Sequence, residues 1–383
     1  MTAAQPLKVH ESLDAYQRQI PFFNYPSLFK QHEEDYVRIF RDVGSRGAYI
    51  LQKDLSQFEE NLKKFLNVKH VFGTNDGTNA IMIGFMAIGL QPGDEVICSS
   101  HTYIATASAA QILGAKAVPC DIGYDNMMDA KDVEKRITSK TKVIIPTQLN
   151  GRTCNMDEIQ ALADKHGLIV CEDAAQALGS KFKGRNAGTF GKFGTFSFYP
   201  AKVLGCFGDG GAVVTNDDEI AAKLYALRDH GRDEQGNVVM WATNARLDNL
   251  QAAWLDFKLQ SYPQDIDRRR EVARMYHEGL KDVKQLTLPQ GPDQNPDHFD
   301  IYQNYELAAD RRDELRVYLK DKGIGSIMQW AGTPLHKFDK LYAPQSIPGV
   351  EKFFERCLMI PMNVTLTDED IQYIINTIKE FYA

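Results

Sequence analysis

Between residues 70 and 230, short apolar runs rich in Val and Ile alternate with stretches of helical periodicity. The runs are "HVFG", "EVICSS", "AKAVPCDI", "KVIIPTQL", "LIVCED", "GTFSFY" and "GAVVTN". Strands that are apolar on both faces and separated by helices demand a mostly parallel sheet covered on both sides. The alternation therefore predicts an α/β fold with a mostly parallel, seven-stranded sheet. Among the intervening helices, Met156, Ile159, Leu162 and Ala163 form one face, and "KHG" supplies the stop. The last two runs are joined by the glycine-rich "GCFGDGG", so at least one strand is expected to enter out of order.

A chain of 383 residues is more than one ordinary core takes. Residues 1–245 read as an N-terminal segment and a large domain. Residues 246–282 read as bridging helices: Leu247, Leu250, Trp254 and Phe257 mark the first, and a charged one follows Pro263. Residues 283–383 read as a small α+β C-terminal domain, with "DIYQNYELAA" and "IGSIMQW" as strands and "RDELRVYLKDKG" and "DEDIQYIINTIKEFY" as helices. The net charge is −7 and "DRRRE" at 267–271 reads as a solvated helix face, which argues against a nucleic-acid partner. Six cysteines without CxxC spacing read as reduced, buried thiols of a cytoplasmic protein. The N-terminal "MTAAQPLKVHESLDAYQRQ" has no apolar signal core, and "AIMIGFMAIGL" is too short to span a bilayer, so it reads as a buried helix. No membrane partner and no metal site are expected.

In open α/β sheets the working residues gather at the carboxyl ends of strands. "TNDGTNA" follows one strand and opens a helix, and its glycine and hydroxyls suit a phosphate. A plain turn with an N-cap has the same letters. Asp173 ends the very apolar strand "LIVCED", where a carboxylate is costly unless a cation or donor answers it. It reads as the counter-ion of a protonated ring nitrogen, or as a helix cap. Lys202 stands in "FSFYPAKVLGCFGDGGAVVTND", between an apolar run and a glycine-rich turn. A sheltered lysine has a depressed pKa and serves as nucleophile and base. Ser197, five residues earlier, adds a hydroxyl to a phosphate site. A phosphate cradle, a buried Asp and a sheltered Lys on one sheet point to pyridoxal 5'-phosphate (PLP).

"FSFYPAKVLGCFGDGGAVVTND", "CEDAAQALGS", "SSHTYIATASA", "LRDHG" and "TNARLDNLQAA" resemble, in the right order, the motifs of the DegT/StrS-type sugar aminotransferases, of the aspartate aminotransferase fold (type I). The resemblance covers roughly residues 20 to 383. It implies that Lys202 bonds the cofactor's aldehyde and Asp173 pairs with the pyridine nitrogen. Gln176 would meet the ring hydroxyl oxygen, Gly77, Thr78 and Ser197 the phosphate, and Tyr103 the ring face. Asn244 matches an asparagine that reaches the phosphate across a subunit interface, which implies a homodimer.

The resemblance also implies glutamate as amino donor, 2-oxoglutarate as its product, and a nucleoside diphosphate-linked 3- or 4-keto-6-deoxy hexose as acceptor. Lys181, Lys183, Arg185 and Arg232 are candidate cations for the diphosphate. Gln148 and Asn150 stand where many members carry a His and an aromatic, and Gln329 and Trp330 where many read His-Tyr; His336 keeps its place. Those segments are expected at the substrate end. They keep open a non-nucleotide acceptor, a cyclitol or small phosphorylated ketone. Sugar dehydratases of this type carry a histidine in place of the lysine, so Lys202 argues against that reaction. A PLP-binding sensor without turnover is the remaining rival.

Overall fold

The structure, a computed structural model, describes residues 18–383. Most of the segment read as lacking a signal core lies outside these residues. All seven apolar runs are found in two four-stranded sheets. One runs Lys116–Cys120, Glu95–Ser99, Thr141–Ile145, Ile169–Val170, with every pairing parallel. The other runs His70–Thr74, Gly211–Thr215, Gly194–Ser197, Glu172–Asp173. The sheets meet at Cys171: its N–H donates to the carbonyl of Ile144, and that of Glu172 to the carbonyl of Phe193. Gly211–Thr215 is the strand out of order. It lies antiparallel between His70–Thr74 and Gly194–Ser197.

Strands such as Glu95–Ser99 and Gly211–Thr215 are buried at every residue, as a sheet covered on both faces requires. Successive residues serve opposite cores. Val213 packs with Ile81 and Phe85 on one side, and Val214 with Phe58 and Leu62 on the other. The run "AIMIGFMAIGL" falls largely in helix Gly77–Ala87, which buries Ile81, Ile83 and Phe85. Among the described residues no helix is long and apolar enough to cross a membrane. Helix Met156–His166 buries Met156, Ile159, Leu162 and Ala163 and stops at Gly167, whose φ of 64° is left-handed.

Helices Asn249–Leu259 and Tyr262–Leu280 follow, although Leu247 precedes the first rather than lying on it. Beyond them an antiparallel sheet of Leu286–Thr287, Tyr305–Ala309 and Cys357–Ile360 packs with helices Arg312–Asp321 and Asp368–Tyr382. Tyr276, Leu307, Leu358 and Ile374 share this core, and Ile20 joins it from the start of the described chain.

Three expectations fail here. "IGSIMQW" is not a strand: it makes single bridges at Ile324 and Ile327, and then Trp330 and Ala331 turn left-handed, which ends any ladder. In "DIYQNYELAA" only Tyr305–Ala309 is a strand, because residues 300–304 pack as a loop against Gly151. A side chain at Gly151 (φ 86°) would put its Cβ 2.6 Å from the backbone nitrogens of Tyr302 and Gln303, so only glycine allows that approach. "DRRRE" is not a solvated face. Arg269 and Arg270 are buried, and Arg269 Nη1 donates to the carbonyls of Tyr302, Gln303 and Met362. A guanidinium fork is stable inside when loop carbonyls meet it.

Candidate active site

Asp173 stands at the carboxyl end of its strand and is 4% exposed. Thr106 Oγ1 donates to its Oδ2 at 2.5 Å, and the Ala175 N–H to its Oδ1 at 3.1 Å. Burial pushes its pKa above the ordinary carboxylate value, against the pull of Thr106, Ala175 and Lys202. Thr106 lies on helix Ile104–Ile112, whose N-cap is Tyr103, so one short helix delivers both residues. Its hydroxyl also meets that of Thr102 at 2.8 Å, and Thr102 meets Thr147 at 2.7 Å.

Lys202 follows strand Gly194–Ser197 in a turn and is half-buried. Burial lowers its pKa from 10.5 to about 8, although Asp173 pulls the other way. Its backbone is held from the C-terminal half of the chain. Gln303 Nε2 donates to the carbonyl of Ala201 at 2.7 Å, and the Val203 N–H donates to Gln303 Oε1 at 2.9 Å. One small cavity is lined by Ala175, Gln176, Ser197, Lys202 and Gln303 among others.

Gly77 opens helix Gly77–Ala87 directly beside Ser197: a Cβ at Gly77 would lie 3.0 Å from the Cβ of Ser197. Asp76 caps the helix by accepting the Asn79 N–H at 2.8 Å, not those of Gly77 or Thr78. A positive helix end, a serine hydroxyl, a buried carboxylate and an amine of lowered pKa thus border one region. That set fits a phosphorylated pyridine aldehyde in each of its functional groups.

The model of the DegT/DnrJ/EryC1/StrS aminotransferase family matches residues 30–379. The chain belongs to this family. It is 36% identical over 369 residues to the "Pleiotropic regulatory protein" of Geobacillus stearothermophilus, covering 95% of this chain and 98% of that protein. It is 35% identical over 370 residues to the dTDP-3-amino-3,4,6-trideoxy-α-D-glucose transaminase of Streptomyces venezuelae, covering 95% and 96%. The solved structure of S. venezuelae DesV in complex with a ketimine intermediate matches with a TM-score of 0.91 at 34% identity, covering 95% of this chain and 98% of that one. This DegT/DnrJ/EryC1/StrS aminotransferase is a transaminase, and its cofactor is PLP.

In the aminotransferase, the other expected site residues divide. Gln176 is buried, and its Oε1 accepts the Asn150 N–H at 2.8 Å. Tyr103 is exposed, its ring centroid 5.3 Å from that of Trp330. Asn244 is exposed on a segment paired with Asp229, and its Oδ1 accepts from Arg246 Nε at 2.9 Å. The four candidate cations are not gathered at Lys202. Lys181 lies 5.9 Å from the Phe299 ring centroid, Lys183 pairs with Asp157 at 2.5 Å, and Arg185 bonds Thr189. Arg232 lies 3.5 Å from Asp229.

His336 is 2% exposed and committed at both nitrogens, to Ser100 Oγ at 2.6 Å and Glu351 Oε1 at 2.9 Å. Burial lowers its pKa, and Lys337 and His336 hold the Glu351 carboxyl down to about 2. Gln148 is buried too: it donates to Glu172 Oε2 at 2.7 Å and accepts the Cys154 N–H at 2.6 Å. Gln329 is buried against Asn150. All six cysteines are free and buried. Sequence reasoning missed Thr106 and Gln303. Thr106 stands one helical turn after Tyr103 in a quoted motif, and Gln303 with Asn304 interrupts an otherwise apolar run.

Proposed function

We propose that this chain transfers the amino group of glutamate to the ketone of a nucleoside diphosphate-linked sugar, a 6-deoxy hexose with the ketone at C3 or C4. The convergence of Lys202, Asp173, Gln176 and Ser197 at the sheet's carboxyl edge carries the reading. The similarity to a dTDP-amino-sugar transaminase supports the substrate class. PLP, when bound, supplies an electron sink for proton removal next to the amine. Asp173 would hold the ring nitrogen protonated, and Gly77, Thr78 and Ser197 would bind the phosphate. Gln176 would meet the ring oxygen and Tyr103 would cover the ring face. Lys202 would hold the aldehyde and, as a free amine, would accept and return a proton beside it. Its lowered pKa suits both tasks.

We read the protein as a cytoplasmic homodimer, its two sheets as one seven-stranded layer of a large domain, and residues 283–383 as a small domain joined by the helices of 246–282. Asn244 and Tyr103 are exposed, as are Phe40, Phe207 and Trp241, which suits a face covered by a second copy. Lys181 and Arg232 are the cations we expect at the diphosphate, since Lys183 and Arg185 are committed to close neighbours. Two inactive variants test the shared site. A mixture of Lys202→Ala and Asn244→Ala subunits is expected to regain activity over both parents, and a mixture no better than either argues that each site is built from one chain.

The substrate is tested by half-reactions. Enzyme loaded with glutamate and freed of it is offered thymidine- or uridine-linked keto sugars, or free cyclitol ketones. The aldehyde form's absorption is expected to return with a nucleotide sugar. Its return with a free ketone alone overturns the acceptor class, and failure of glutamate to discharge it at all favours a sensor.

A further inference from the structure

A run of amide side chains stands behind Gln176, and its polarity is set at its far end. Glu306, 4% exposed, is the anchor, since a carboxylate offers acceptors only; the buried His101 faces the same Oε2, its Nε2 3.4 Å away. Asn150 Nδ2 donates to Glu306 Oε2 at 2.6 Å, so Asn150 Oδ1 must face the other way. There it accepts from Asn304 Nδ2 at 2.9 Å and from Gln329 Nε2 at 3.1 Å. The backbone N–H of Asn150 can only donate, and it does so to Gln176 Oε1 at 2.8 Å; Asn304 Nδ2 reaches the same oxygen at 3.4 Å. With its oxygen engaged by two donors, Gln176 has only its NH2 to offer the cavity it shares with Lys202 and Ser197. Asn150 has a left-handed backbone (φ 55°), a conformation that Asn tolerates better than bulky residues do, and this aims its N–H.

We propose that Asn150, anchored by Glu306, is a positioning residue that fixes Gln176 as a hydrogen-bond donor toward the ring oxygen of the cofactor. The inference rests on the reading above that Gln176 meets that oxygen. It gives Asn150, with the buried Gln329 and Glu306, a role in the cofactor's electronics rather than in sugar recognition. A donor at the ring oxygen stabilises its negative charge, so a proton shared with the neighbouring nitrogen is held less tightly. Losing the donor therefore raises the pH at which the bound cofactor changes colour.

The test titrates the visible absorption of the holoenzyme. Gln176→Leu is expected to raise the transition by about one pH unit, the scale of one hydrogen bond to a charged oxygen. Asn150→Leu is expected to raise it in the same direction by a smaller step, and Asn150→Gly, which keeps the left-handed N–H, by less than Asn150→Leu. Glu306→Gln separates positioning from charge. It removes a negative charge, which by itself lowers the transition, whereas a freed and flipping Gln176 raises it. If Gln176→Leu leaves the transition in place, the placement of Gln176 at the ring oxygen is wrong and the inference falls with it. If Gln176→Leu raises it but Glu306→Gln lowers it or leaves it unchanged, and any folded Asn150→Leu does not raise it, the positioning role alone is overturned. Should Asn150→Leu fail to fold, Glu306→Gln and Asn150→Gly decide.

Discussion

Lys202→Ala is expected to fold and to lose at least about a thousandfold in turnover, within the range that a positioned acid–base group contributes. Burial brings the Lys202 pKa to about 8, so at neutral pH roughly a tenth of it is free amine, some three hundredfold more than for an unperturbed lysine. On the reading proposed above, removing it deletes the group that would both bond the aldehyde and move the proton. Borohydride reduction of the wild-type enzyme is expected to fix the cofactor to the peptide containing Lys202, and label on any other lysine sinks the assignment. Stability gives an independent check. The folded pKa lies below the unfolded value, so between about pH 8 and 10.5 the unfolded chain binds more protons and stability rises with pH. Below that window the cost of sheltering the charge is present in full. Cofactor-free Lys202→Met, which keeps the bulk without the charge, is therefore expected to melt no lower than wild type at pH 7.

Much of this was legible in the sequence, because the signals are local. All seven apolar runs fall on strands, and an apolar strand ending in Asp173 marks a buried carboxylate whatever surrounds it. Gly77 and Ser197 are brought together in the sequence only by the family resemblance, and the structure sets them side by side. What stayed hidden depends on pairs distant in the chain. Gln303 holds Lys202 across about a hundred residues, and Asn150 reaches Glu306 over a separation of 156. Polar letters in such places read equally as surface. Arg269 and Arg270 show the same limit: a run of arginines reads as solvated until three loop carbonyls close on it. His336 shows that a motif does not reveal its partners. A histidine in a site-like motif ties Ser100 to Glu351.

Asp173→Asn is expected to keep the fold and lose at least about a hundredfold in turnover, the scale of removing one preorganised electrostatic partner. The amide matches the carboxylate in shape, and its hydrogen bonds can be rearranged without an orphan. Oδ1 keeps the Ala175 N–H, and Nδ2 turns to Thr106, whose hydroxyl then donates to Thr102, 2.8 Å away. The charge cannot be replaced. If Asp173 faces the ring nitrogen as proposed, a neutral amide gives that nitrogen no reason to stay protonated, and the cofactor is expected to lose its sink while remaining bound through the phosphate. The effect on folding has the opposite sign. Burial raises the folded pKa of Asp173 above its unfolded value of 3.8, so the unfolded chain binds fewer protons as pH rises through that window, and stability falls. Above the folded pKa the full cost of an ionised, buried carboxylate is present. The cofactor-free Asn variant is therefore expected to melt at or above the wild-type temperature at pH 7, and the difference is expected to shrink as the pH is lowered toward 4. Paired measurement of turnover and melting temperature decides between the two roles open to Asp173. Near-normal turnover makes it a structural cap, and a melting temperature well below wild type shows that the fold depends on the charge itself.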